Sequence, residues 1–138
     1  MTNKRKQEVN QRLNRVQREI RERFSSSSMN NARWVQLLDA LSNLNPEHFS
    51  VRVKLVTEDD PRPLCTEGRT RDFDYWRTGV EGMLEGYPHG WSLYLEWEWL
   101  EVTADGTEAL TELLHSVESI GQLDVTVVDT VLRVTGYR

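Results

Sequence analysis

The sequence predicts an α+β protein in which a small, mainly antiparallel four-stranded sheet packs against two helices (α-β-β-α-β-β), preceded by a basic N-terminal helix. Three observations predict this fold. Apolar residues recur every three or four positions in three segments, as they do along one side of a helix. In two other segments they alternate with polar residues, as in half-buried strands, and two short segments near the end of the chain also read as strands. Short links join consecutive strands, which favours antiparallel pairing with the helices on one face.

Residues 3–24 are predicted to form the first helix, because they contain neither Gly nor Pro. A thin apolar stripe, with spacings of four, three and four residues, follows one side of this arm. The residues predicted to pack the arm against another surface are Val9, Leu13, Val16 and Ile20. The stripe suits packing against the protein's own body, or against a second copy of the arm in a homodimer through residues 3–24.

The charge changes sign after this helix. Residues 1–24 carry eight basic and three acidic side chains, a formal charge of +5, whereas residues 25–138 carry nine basic and nineteen acidic ones, a charge of −10. We therefore predict a basic amphipathic helix with a serine linker at 1–28 and an acidic α+β body at 29–138. A chain of this length can bury a core without disulfides or metals.

Two helices are predicted within the body from strong one-sided apolar patterns. The first is capped by Asn30 or Asn31 and stopped by Asn45-Pro46. Its apolar side consists of Trp34, Leu37, Leu38, Leu41 and Leu44. The second is stopped by Gly121. Its apolar side consists of Leu110, Leu113, Leu114, Val117 and Ile120.

Four strands are predicted, the first two of them from alternating patterns. They lie at residues 50–57, 91–102, 123–128 and 131–135. The last two strands are joined around Asp129-Thr130. The alternation at 91–102 slips after Trp99, which predicts a bulge near that residue.

The strand at 91–102 places Tyr94, Glu96 and Glu98 on one face, with the two carboxylates about 7 Å apart along the strand. We predict that these three residues form an acidic recognition face that binds a partner. Paired carboxylates also perform general acid/base catalysis in shielded pockets, so a small enzyme that uses Glu96 and Glu98 is an alternative. A further interpretation is that the two carboxylates are ordinary solvated residues on the open side of a sheet, without a specific function.

A polar loop carries the other predicted partner-binding residues, which are Asp72, Asp74, Tyr75 and Trp76. Aromatic side chains flanked by acids suit a cationic partner surface. The alternative is that the aromatic residues of this loop cover the edge of the core.

The sequence contains no recognisable motif for catalysis, metal binding or cofactor binding. Cys65 is the only cysteine, and the three histidines do not stand at a spacing typical of a nucleophile–base pair. C-x-x-C and H-x-x-x-H patterns are absent, and the glycines at 79, 82 and 86 lack the Lys of a phosphate-binding loop. We therefore predict no catalytic residue, no metal and no cofactor.

Three segments resemble a family of small bacterial proteins of uncharacterised function. They are Trp34-x-x-Leu37-Leu38, Glu96-Trp97-Glu98-Trp99-Leu100-Glu101-Val102 and the closing Leu132-Arg133-Val134-x-Gly136-Tyr137-Arg138. The resemblance covers residues 30–138, leaves out the basic arm and implies a small α+β domain. In size and acidity the chain is also similar to antitoxin-like immunity proteins, which is a likeness of class and not of motif.

Together these observations predict a non-enzymatic protein-binding protein that acts through an acidic, aromatic-rich surface. The most specific version of this prediction is an immunity or antitoxin-type inhibitor. The expected partner is a protein with a basic surface, such as a bacterial toxin, because a body of charge −10 is steered toward a basic cleft.

A nucleic-acid-associated regulator that binds through the basic arm is the alternative function. Nucleic acid is the less favoured partner, because the arm has no aromatic residue before Phe24 to stack on bases. No apolar run is long enough to cross a bilayer, so we expect no membrane contact. The single cysteine favours a reducing compartment, so we expect a cytoplasmic location.

Overall fold

A computed structural model describes residues 3–65, 78–81, 84 and 91–138. These residues form three α-helices, a five-stranded sheet and a separate two-stranded sheet. Both sheets are antiparallel. The predicted α+β fold class is confirmed, although the main sheet has five strands where four were predicted.

The helices are α1 (Asn3–Arg23), α2 (Asn31–Ser42) and α3 (Thr107–Glu118). Asn30 caps α2, one of the two predicted positions, and its side chain accepts a hydrogen bond from the backbone N–H of Arg33 at 2.8 Å. Gly121 follows α3 with a left-handed φ of 105°, which glycine adopts without steric cost. Local sequence signals therefore account for the position of α2 and for the end of α3.

The strands are β1 (Phe49–Leu55), β2 (Arg62–Pro63), β3 (Gly79–Glu81), β4 (Trp91–Leu93), β5 (Trp97–Ala104), β6 (Val125–Val128) and β7 (Val131–Thr135). The main sheet has the order β2-β1-β5-β7-β6. β3 and β4 form the small sheet. The hairpin of β6 and β7 turns at Asp129, as predicted, with a φ of 54°.

The continuous strand predicted at 91–102 is wrong. A 3-10 turn, Tyr94–Glu96, separates β4 from β5. Alternation of polar and apolar residues predicts a strand when the polar side chains are exposed and the apolar ones are buried. At residues 94–96 polar and apolar side chains are both buried, so the alternation did not indicate the turn. The predicted irregularity near Trp99 is confirmed: in the pairing of β1 with β5, Lys54 faces Trp99 and Leu55 faces Trp97, so Glu98 is an extra residue.

The core lies between the main sheet and the helices α2 and α3. The helices contribute Trp34, Leu37, Leu38, Leu41, Leu113 and Val117. The sheet contributes Val53, Leu55, Leu100, Val102, Leu132 and Val134. At one end of this core the Trp97 ring makes edge contacts with the rings of Trp34 and Tyr94, at centroid distances of 5.2 and 5.1 Å. Alternate strand residues therefore form the opposite face of the sheet.

Candidate partner-binding surface

Two members of the predicted acidic face lie inside the protein. The side chains of Tyr94 and Glu96 are 0% and 1% exposed. They belong to the 3-10 turn, which packs against both α1 and α2. Burial raises the pKa of the Tyr94 hydroxyl. An exposed recognition face therefore does not form at these two residues, because the chain turns inward where a strand was predicted.

Glu96 accepts hydrogen bonds at both carboxylate oxygens. Arg12 donates from Nε to Oε1 at 2.5 Å, while the Ser92 hydroxyl and the Leu93 backbone N–H donate to Oε2 at 3.0 and 2.8 Å. The indole N–H of Trp97 donates to Ser92 Oγ at 3.0 Å. Arg12 is only 4% exposed, so this is a buried ion pair extended by neutral hydrogen bonds. The network fixes α1 against the 3-10 turn.

The basic arm packs against the body of its own chain. Val16 is fully buried, and the other members of the predicted apolar stripe, Val9, Leu13 and Ile20, are partly buried. The stripe therefore faces inward. A homodimer through the arm stays a prediction.

Glu98 lies near the surface and is held by two cations. Lys54 Nζ lies 2.9 Å and Arg23 Nη2 lies 3.4 Å from its Oε1 atom, and the side chain is 16% exposed. Arg23 also donates a hydrogen bond to the Val56 backbone carbonyl. Glu96 and Glu98 thus have different surroundings, one inside the protein and one at its edge. The enzyme that uses both residues stays a prediction.

Residues 25–28, predicted to be a linker, are hydrogen-bonded to the C-terminal residues. The backbones of Ser26 and Arg138 exchange hydrogen bonds of 3.0 and 3.1 Å, and the Ser28 N–H donates to the Gly136 carbonyl at 2.9 Å. This segment therefore holds the arm to the end of the sheet at several points. The division of the chain into parts 1–28 and 29–138 stays a prediction.

The four loop residues predicted to bind a partner, Asp72, Asp74, Tyr75 and Trp76, lie outside the described residues. Their role stays a prediction.

An exposed acidic cluster that the sequence analysis missed surrounds His48. Asp105 Oδ2 lies 2.5 Å from His48 Nδ1, and both side chains are about half exposed. The hydrogen bond to Asp105 and the negative charges of Asp105, Glu47 and Glu112 raise the pKa of His48 above its ordinary value of 6.5. We call these four residues the His48 corner.

The pairing of β1 with β5 creates this corner. Phe49 faces Ala104 at the end of the pair, which brings His48 and Asp105 together just beyond it. The Asp105 N–H also donates to the His48 carbonyl at 3.0 Å. The sequence contained one relevant signal, a polar residue next to each strand end, but the register that joins them was not predictable from it.

The face of the sheet away from α2 and α3 carries a row of paired charges, which we call the arginine row (Arg52, Trp99, Glu101 and Arg133). The two carboxylate oxygens of Glu101 accept hydrogen bonds from Arg52 Nε and Arg133 Nε, each at 2.8 Å. Burial raises the pKa of Glu101, but the hydrogen bonds and charges of the two arginines outweigh it, so the pKa lies below 4.5. The Arg133 guanidinium stacks 4.0 Å from the centroid of Trp99.

A family model with the description "Family of unknown function (DUF6678)" matches residues 16–138. The chain belongs to the DUF6678 family. This membership agrees with the predicted resemblance to a family of uncharacterised function. No curated protein and no solved structure matches the chain.

The DUF6678 match begins within α1 and not at residue 30, where the predicted resemblance began. Its first residue, Val16, is the fully buried member of the apolar stripe. The family region therefore includes the last eight residues of α1, together with the His48 corner and the arginine row. The likeness to immunity proteins stays a prediction.

None of the helices in the described ranges has both the length and the apolar character needed to span a membrane. Within the same ranges, no three His, Cys, Asp or Glu side chains are grouped so that they could hold a metal ion.

Proposed function

We propose that this DUF6678 protein is a non-enzymatic protein-binding protein. The most specific version of the proposal is that it is an immunity or antitoxin-type inhibitor. Its proposed partner is a protein with a basic surface, such as a bacterial toxin. The proposed binding surface is the His48 corner together with the exposed side of α3. The observation that carries the proposal is the exposed pair of His48 and Asp105, whose polar atoms lie 2.5 Å apart, together with the negative charges of Glu47 and Glu112, which act on the same imidazole. The proposed location is the cytoplasm, where the exposed Cys65 thiol stays reduced.

The exposed side of α3 continues this acidic surface. α3 contains no Lys or Arg. Its Glu108, Glu112 and Glu118 side chains are all exposed. A helix face with this composition presents negative charge without internal neutralisation by basic residues of the same helix.

Other carboxylates of the chain are already paired with its own cations. The pairs are Glu96 with Arg12, Glu98 with Lys54, Glu101 with Arg52 and Arg133, and Asp124 with Arg138. Their charge is largely compensated within the molecule. The His48 corner keeps more negative charge available to a partner, and such charge accelerates association with a basic surface.

The proposal is tested by comparing two charge-matched double variants. Glu47→Gln/Glu112→Gln neutralises the His48 corner, while Asp59→Asn/Asp60→Asn neutralises exposed acids beyond the other end of β1. Each variant and the wild type are used as bait in the native cell, with cross-linking and quantitative mass spectrometry. Captured proteins are then purified for measurement of association rates at low and high salt.

We expect the wild type to capture a basic protein. The corner variant should capture less of this protein than the wild type does, and the control variant should capture as much. Its association rate with the wild type should fall steeply as salt rises. Co-expression should relieve its toxicity if it is a toxin. An acidic partner, or equal capture by both variants, would contradict the proposal.

The exposed cations of α1 favour a second candidate, a nucleic-acid-associated regulator. With α1 docked through its apolar stripe, six basic residues among those described in the arm stay exposed. They are Lys4, Lys6, Arg15, Arg18, Arg21 and Arg23, of which Arg23 is paired with Glu19 and Glu98. Deleting the arm is a poor test, because deletion also removes the buried Val16. The better test is the triple variant Arg15→Gln/Arg18→Gln/Arg21→Gln, compared with the wild type in a mobility-shift titration with duplex DNA and single-stranded RNA. The three substitutions should abolish binding only if the arm contacts phosphates.

A further inference from the structure

β6 is a short edge strand that lacks the charges and prolines that usually protect such edges. It forms one end of the main sheet and reads Val125, Thr126, Val127 and Val128, without a charge or a proline. Val127 and Val128 are 41% and 64% exposed, and they are the large hydrophobic side chains that the described residues leave exposed. Edge strands usually carry charges, prolines or bulges that prevent pairing with another strand. Within the described ranges no segment pairs with the outer side of β6, so this edge is open to an additional strand.

The other edge of the sheet differs in each of these respects. β2 is only two residues long, Arg62 and Pro63, and it contains both a charge and a proline. The chain after β2 continues into a bridge between Leu64 and Leu84. A new strand is thus accommodated at β6 and not at β2.

The hydrogen-bonding pattern of β6 identifies which backbone groups face outward. The Thr135 N–H donates to the carbonyl of Asp124, just before β6, at 2.9 Å. Because bonding groups alternate along an antiparallel strand, every second residue from Asp124 onward faces β7, and Val125 and Val127 face away from it. Among the described residues, the backbone groups of Val125 and Val127 make no hydrogen bond outside the sheet.

A depression of about 260 Å³ opens beside this edge, on the face of the sheet that carries the arginine row. Thr126 and Val128 of β6 line one side of it, and Arg133 and Arg138 line the other. The two arginine side chains are 41% and 59% exposed. An added strand would place alternate side chains over this depression.

The charges around the depression suit a single anionic group. The three arginines of the area, Arg52, Arg133 and Arg138, share two carboxylates, those of Glu101 and Asp124. Counting these side chains alone, one positive charge is in excess. The Nε and Nη2 groups of Arg133 and Arg138 already bind Glu101 and Asp124, so an added carboxylate would accept hydrogen bonds from their Nη1 groups.

We propose that an extended peptide segment of a partner adds to β6 as a further strand of the sheet, with an acidic side chain seated between Arg133 and Arg138. The added strand bonds to the outward backbone groups of Val125 and Val127. This site is separate from the His48 corner and goes beyond the function proposed above.

The test uses a synthetic hexapeptide, acetylated and amidated, of sequence Thr-Val-Glu-Val-Thr-Val. Binding is measured by fluorescence anisotropy, and backbone protection by amide hydrogen exchange in NMR. We expect slower exchange at Val125 and Val127, and unchanged exchange at Thr126 and Val128, which already bond to β7. Replacing the peptide's Glu by Gln should weaken binding about two- to fivefold, the effect of an exposed ion pair.

Two controls separate strand addition from other binding. A peptide with N-methyl groups on alternate amides keeps its side chains but cannot pair, and it should not bind. In the protein, Val127→Pro removes an outward N–H without touching the bonds to β7 and should abolish binding. The proposal is overturned by equal binding of the N-methylated peptide, by protection elsewhere than Val125 and Val127, by equal affinity of the Gln peptide, or by no binding. It is also overturned if the free protein dimerises through β6, shown by a concentration-dependent mass that Val127→Pro abolishes.

Discussion

Arg12 and Glu96 form a buried ion pair, with Arg12 Nε 2.5 Å from Glu96 Oε1, between the basic arm and the 3-10 turn. The two residues are 84 positions apart in the sequence. Each would be costly to bury alone, and each is buried because the other is present. The most charged segment of the chain is thereby part of the packed structure.

Removing one member of this pair should destabilise the protein strongly. Arg12→Met leaves Glu96 buried without its counter-ion, so we expect the free energy of unfolding to fall by about 3–5 kcal/mol. Arg18→Met changes an exposed arginine of the same helix and should alter it by less than about 0.5 kcal/mol. Urea denaturation followed by Trp fluorescence measures both variants. Equal stability of the two would show that the ion pair does not hold the arm.

The apolar stripe of the arm should contribute as core residues do. Val16→Ala removes two methyl groups from a fully buried side chain, and we expect a loss of about 1.5–2.5 kcal/mol in the free energy of unfolding. The same substitution at Val128, which is 64% exposed, should cost less than about 0.5 kcal/mol. Thermal and urea unfolding of both variants check this. A neutral Val16→Ala would mean that the arm is not packed in solution.

Gly136 should not tolerate a side chain. A Cβ atom there would lie 2.7 Å from the Trp97 carbonyl oxygen and 3.1 Å from that of Glu98. We expect Gly136→Ala to lower the free energy of unfolding by about 1–3 kcal/mol, as overpacking does. Gly106→Ala is the matched control, because a Cβ at that position meets nothing within 4 Å. Differential scanning calorimetry should show a lower Tm for the first variant only.

His48 should titrate above pH 6.5, since Asp105 and the nearby carboxylates raise its pKa. Protonated His48 is favoured in the folded protein. Its contribution to stability is therefore fully present below pH 6.5, its ordinary value, and is lost as pH rises through the raised pKa. An NMR titration of the imidazole ring measures the pKa. Asp105→Asn should return it toward 6.5, while Asp59→Asn, beyond the other end of β1, should leave it raised. A pKa in Asp105→Asn as high as that of the wild type would contradict this origin.

Local sequence patterns predicted the helices and most strands of the described residues. The stripes of α1 and α2, the Asn30 cap and the Asp129 turn depend on interactions within a few residues, which local sequence records directly. The same approach failed at residues 94–96. Polar and apolar residues alternate there although the chain forms a turn. The buried polar residue of this turn, Glu96, is paired with a residue of α1, which is distant in the sequence.

The candidate sites depended more on long-range pairing. The His48 corner exists because the register of β1 and β5 brings two strand ends together. The arginine row exists because Arg52, Glu101 and Arg133 occupy one row across three strands. Neither the strand register at the His48 corner nor the row of side chains across three strands can be predicted from the spacing of residues along the chain.

The sequence by itself determined the α+β class, the apolar sides of the helices and the separation of charge between arm and body, because each follows from composition or from periodicity within one segment. Only the tertiary structure decided where those charges went. It placed Arg12 and Glu96 together in the interior, paired Glu98 and Glu101 with cations, and left Glu47 and Glu112 exposed around His48. The physical reason is that the energy of a charged side chain depends on its neighbours in space and on its exposure to water, and folding determines both.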